Sequence, residues 1–193
     1  MTAPVDIDSV IARTRCWVEK VVIALNLCPF ARMPYDAGQV RFFVSEAATR
    51  EQLLQDLQDE LERLRDTPAD EIDTTLLIHP NVLNNFLDYN DFLDVADALL
   101  EEGGYADEFQ IASMHPSYRF AGTRAADAEN YTNRSPYPIL HLLREDSLEH
   151  ALSTYARPDK IPERNVKLME KLGTEHMREL LEQCQSLKVD DAE

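Results

Sequence analysis

Three short apolar runs end near Ser45, His79 and His115, about 35 residues apart, and the stretches between them carry helical periodicity. That interval is the length of a strand-helix unit, which constrains the chain to a layered α/β arrangement. Successive strands joined by helices run parallel with right-handed crossovers, and open sheets of this kind collect ligands at the carboxyl ends of their strands. His79-Pro80 and His115-Pro116 then stand at two such ends. On adjacent strands, about 4.8 Å apart, the two imidazoles converge on one ligand; a strand inserted between them separates the rings by about 10 Å. A plainer reading is that proline terminates both strands and each histidine merely caps an end.

The remaining elements follow from spacing. Ile7, Val10, Ile11, Trp17, Val18, Val21, Val22 and Leu25 predict a helix over about 6–27, stopped by Cys28-Pro29. Pro34 to Gly38 form a turn before a strand over 39–45, and Thr49 with Gln52 makes a capping box for a helix to about Arg65. Residues 74–79 form a strand apolar on both faces, which suits a buried position. A helix in one or two pieces follows, about 82–87 and 90–102, closed by Gly103-Gly104; strands at 109–114 and 139–143 flank a long loop. Helices are expected at about 146–155, 162–172 and 174–187. The expectation is an α/β fold with a four-stranded, mostly parallel or mixed sheet flanked by helices. It forms a single domain over 1–193, with a C-terminal helical pair inside a helical extension over about 146–188.

Composition narrows the partners. A net charge of −17 argues against nucleic acid and anionic membranes, which are bound by an excess of Lys and Arg. The charge is uneven: residues 42–109 carry −15, whereas 11–41 carry +3 and 110–144 carry +2. If the two positive segments meet, an acidic body surrounds a patch suited to a small anion; otherwise the arginines balance local acids on a solvated surface. Three widely spaced cysteines and a first stretch with no secretory pattern predict a reduced cytoplasmic protein, and no apolar run reaches membrane-spanning length. Oligomeric state is left open.

Between the third and fourth strands some twenty residues lack periodicity, and loops of that length inside compact domains are usually functional. Arg134 and Arg144 offer planar forks for an anion, with Asn130, Asn133, Tyr118, Tyr137 and His79 as further substrate-binding candidates. Asparagines and prolines also give a loop its turns, and tyrosines fasten it, so each has a structural reading as well. Cys28 is a candidate nucleophile with His115 as acid or base. A thiolate at a helix C-terminus is disfavoured by the dipole, however, and a buried exit-turn cysteine or a metal or haem ligand is the alternative. No spacing of Cys and His signals a metal, and no glycine-rich nucleotide loop is present.

Three stretches carry a resemblance. Leu25-Asn26-Leu27-Cys28-Pro29-Phe30-Ala31, His115-Pro116-Ser117-Tyr118-Arg119-Phe120-Ala121-Gly122, and Asn130-Tyr131-Thr132-Asn133-Arg134-Ser135-Pro136 with Leu140-His141-Leu142-Leu143-Arg144-Glu145 resemble a bacterial family known as domain of unknown function 1415. The resemblance spans nearly the whole chain. It implies that the stretches belong together and brings no activity, cofactor or catalytic residue with it. The sequence therefore supports an enzyme acting on a small anion, a non-catalytic anion-binding regulatory module, or a metal or haem protein.

Overall fold

The computed structural model describes residues 5–188. Asp6 caps the first helix, α1 (Ile7–Trp17), by accepting the Ser9 amide, and the helix then widens into a π turn over Val18–Ile23. There Ala24 and Leu27 donate to carbonyls five residues back, at Glu19 and Val22. Asn26 takes a left-handed conformation (φ 53°) and turns the chain out at Leu27-Cys28. The predicted helix over 6–27 is thus two kinds of helix plus a turn. Periodicity does not reveal the π segment, because one extra residue leaves the apolar face nearly continuous.

A one-turn helix, α2 (Arg32–Asp36), occupies part of the predicted turn. It leads to β1 (Val40–Val44), α3 (Arg50–Asp66), β2 (Thr74–Ile78), α4 (Phe86–Glu102) and β3 (Phe109–Met114). The region predicted as one or two helices is a single helix starting at Phe86, capped by the Asn85 side chain on the amides of Leu87 and Asp88. Leu83, left-handed at φ 59°, precedes it in a turn. After the long connection come β4 (Ile139–Arg144), α5 (Glu145–Thr154), α6 (Ile161–Leu172) and α7 (Thr174–Gln185).

The sheet is mixed, in the order β1-β2-β4-β3. β1 and β2 pair in parallel, and β4 runs antiparallel to both β2 and β3. β2 is buried at all five positions, as its unbroken apolar run requires. On one face Leu77, Leu140, Leu142 and Phe109 pack under Leu53, Leu57, Leu61, Tyr89, Phe92 and Ala96 of α3 and α4. On the other, Leu76, Ile78 and Ile139 meet Trp17 and Val21 of the first helix and Met169, Met177 and Leu181 of α6 and α7. The C-terminal pair therefore closes the core and is not an appendage.

Inserting β4 between β2 and β3 brings about the wider of the two histidine spacings. Tyr89 of α4 takes up the room: its ring lies 5.8 Å from that of His79 and 5.1 Å from that of His115. Its hydroxyl donates to Ile139 O (2.7 Å) and accepts from Met114 N (3.0 Å), the last register pair of β3 and β4. One side chain fills the gap between the strand ends and completes their ladder.

Candidate functional site

The strand-end histidines are held by backbone. His79 is fully buried and its Nδ1 meets Val82 O at 3.0 Å, so the hydrogen sits there and Nε2 has no protein partner. Desolvation lowers its pKa to about 4. His115 is 1 % exposed: Nε2 donates to Leu83 O (3.1 Å) while Nδ1 accepts from Ser117 N (3.0 Å). Both ring nitrogens are engaged, and burial lowers this pKa too. The imidazoles fix turns at the α4 face of the sheet and do not converge on open space. His141 faces the other way along β4, with Nε2 2.7 Å from Thr74 Oγ1.

The loop's polar residues are likewise turned on the loop itself. Asn130, fully buried, accepts from Phe120 N and Thr123 Oγ1 and donates to Arg124 O. Arg134 donates to Tyr118 O and Ala125 O and lies 4.5 Å over the Tyr131 ring. Tyr118 packs on Phe86 and Phe120, and the Tyr137 hydroxyl accepts from Arg13 of α1. Arg144 stands at the far end of β4, where its guanidinium donates to Leu64 O, Thr67 O and Ile72 O. The expected clamp of Arg134 and Arg144 is therefore not assembled. A loop of about twenty residues exposes many carbonyls with no ladder to satisfy them, and these side chains supply the donors.

A cavity does form where the first helix exits, on the sheet face opposite the histidines. It holds about 480 Å³ and is lined by Val22, Leu27, Cys28, Met114, Phe120, Glu129, Thr132, Asn133, Ile161, Pro162, Asn165 and Val166. The π turn and the left-handed Asn26 bring Leu27 and Cys28 to the wall. Asn165 of α6 donates to Leu27 O (2.8 Å), and Arg164 donates to Asn26 O and to the Tyr155 hydroxyl, so α6 clasps the exit turn. A short 3-10 helix at Ala128–Thr132, braced by Asn130, presents Glu129 and Thr132. Asn133 is oriented by its bond to Ser113 O (3.0 Å). A second depression, along Glu145 to Ser153, borders α5 alone and gathers none of the sequence candidates.

Of the residues singled out from sequence, Cys28 and Asn133 line the cavity, and Asn130 and Arg134 shape the loop that forms one wall. His115 and Cys28 belong to opposite layers and do not meet. Most lining residues were missed because they are apolar and distant in sequence; Asn165, an amide on the buried face of an amphipathic helix, was the one readable signal. Cys28 is half-buried, and desolvation raises its thiol pKa against the lowering effect of the Phe30 and Ala31 amides and Arg164. A neutral thiol alkylates slowly. Iodoacetamide at pH 7.5 should label Cys28 at least about tenfold more slowly than a free thiol such as glutathione, read by mass spectrometry; rapid labelling with an acid-shifted pH profile would show an activated nucleophile instead.

Among the described residues no three His, Cys, Asp or Glu side chains are grouped to hold a metal ion, and no helix is long and apolar enough to cross a membrane. Residues 9–179 match the model of a family described as "Protein of unknown function (DUF1415)". No curated protein matches, and neither does any solved structure.

Proposed function

The chain belongs to the DUF1415 family, and we propose that it is a binding module for a small, largely apolar molecule seated in the Cys28 cavity. The observation that carries this reading is the composition of the walls. Three stretches far apart in sequence border a half-open volume in the range of ligand sites, mostly apolar with a few convergent polar groups. Glu129 is the one charged residue on the lining, and its carboxylate has no ion-pair partner among the described residues. An uncharged or cationic head group is then preferred to the small anion expected from sequence, because the Glu129 carboxylate on the lining repels a like charge. In this reading the ligand's polar end meets the remaining hydrogen-bonding capacity of Thr132, Asn133, Asn165 and the Cys28 thiol on the lining.

Octylamine, octanol and octanoate share a chain and differ in the head, so they test the reading directly. Amine and alcohol should bind saturably in calorimetry, with octanoate at least about tenfold weaker. Glu129→Gln should narrow that gap. No saturable binding by any of the three, or a preference for octanoate, would refute the reading. Catalysis is the second reading, favoured by one observation: a thiol on the wall of the cavity. With no imidazole on the lining among the described residues to act as base, the geometry favours binding over turnover.

A further inference from the structure

Cys16 of α1 and Cys184 of α7 are 168 residues apart in sequence, yet their Sγ atoms lie 2.8 Å from one another in the core. Thiols packed only as small hydrophobes settle at van der Waals separation, and these sit inside it. A covalent bond at about 2.05 Å needs a closure of less than about 1 Å, within the play of two side chains. We propose that Cys16 and Cys184 are the site of a reversible intramolecular disulfide, formed by a small two-electron oxidant such as hydrogen peroxide.

Both cysteines are buried, Cys16 being the more exposed residue of the two, 7 % against 0 %, and the proposed sequence starts at its sulfur. Its thiolate attacks one peroxide oxygen; an S–O bond forms, the O–O bond breaks, and the departing hydroxide leaves as water with the thiol's proton. The Cys184 sulfur then attacks that of Cys16. An S–S bond forms, the S–O bond breaks, and the second water carries away the Cys184 proton. The two sulfurs together lose two electrons and the peroxide gains them. Cys184 stays a neutral thiol until that step, its pKa raised by burial first and by the neighbouring Cys16 thiol second.

The bond would reach beyond its own two helices. Cys16 stands just ahead of the π turn that brings Val22 to the cavity, and α7 packs against both that turn and the 3-10 helix of Glu129 and Thr132. Oxidation thus fastens two walls of the cavity to each other.

The test treats the folded full-length chain with hydrogen peroxide, removes the oxidant with catalase, and titrates thiols in denaturant beside non-reducing peptide mapping. A Cys28→Ser variant is treated in parallel. That variant should go from two titratable thiols to none and yield a 16–184 cross-linked peptide. Dithiothreitol should restore both thiols, and Tm of the oxidised form should rise by about 5–10 °C. Cys184→Ser should give neither cross-link nor Tm rise. Two thiols surviving in Cys28→Ser, oxidation of Cys16 to sulfinate without a cross-link, or a wild-type bond that pairs Cys28 would each overturn the proposal.

Discussion

Acidification from about pH 7 to pH 4 should remove about 3 kcal/mol of stability through His79 alone, equivalent to a Tm fall of about 6–12 °C. In the folded chain the imidazole is neutral, because a second hydrogen on Nε2 would be buried with no acceptor. Its pKa drops from 6.5 to about 4. The sign follows from proton counting. Between those two values the unfolded chain binds a proton that the folded chain does not, so stability is whole above about pH 6.5 and drains away as the pH falls. Below about pH 4 both states are protonated and this contribution is flat. His141, also lowered to about 4 by desolvation, adds to the slope; its residue is half-buried, so its share is smaller. Guanidinium unfolding of wild type and His79→Gln across this range isolates the effect. The His79→Gln curve should be the flatter by about 3 kcal/mol, whatever its stability at neutral pH. Parallel curves would mean that His79 is protonated in the fold.

Arg144→Met should destabilise the chain by about 3 kcal/mol and leave ligand affinity unchanged. The guanidinium joins the end of α3 to the start of β2 by donating to Leu64 O, Thr67 O and Ile72 O, and lies 5.7 Å from the Phe109 ring. Methionine keeps the stem and forfeits the donors, so the half-buried Thr67 and Ile72 carbonyls lose their guanidinium bonds and Leu64 O keeps only the Thr67 amide. Lysine should recover little, since one ammonium does not span three carbonyls held by a planar fork. A residue recruited to hold an anion would behave the other way, with near-normal Tm and lost affinity. Thermal unfolding and calorimetry on the same samples separate the two outcomes.

These two residues illustrate what a linear sequence discloses. The strand ends at Ser45, His79 and His115 were legible because turn residues and apolar runs are local signals. The place of β4 was not: a strand that enters the sheet between two earlier ones leaves no mark on its own residues. The cue lay 50 residues away, in a Tyr89 that reads as one more apolar position on a helix. Polar density marked the loop but did not disclose its internal bonding, because Asn130, Arg134 and Arg144 face carbonyls that only the folded chain brings near. Cys28 and Asn133 were identified as site residues and do share a cavity; their neighbours Val22, Ile161 and Val166 are ordinary core types whose convergence depends on the π turn and on the clasp of α6 around Leu27.

Ligand binding depends on that convergence, and filling the cavity tests it most directly. Val166 lines it from α6, and Val166→Trp projects an indole into the space while leaving the Asn165 bond to Leu27 in place. Octylamine titrated into wild type and Val166→Trp, with Tm recorded for both, should show affinity reduced at least about tenfold with Tm within a few degrees. Equal affinity in a folded Val166→Trp protein would place the ligand elsewhere and contradict binding in the Cys28 cavity.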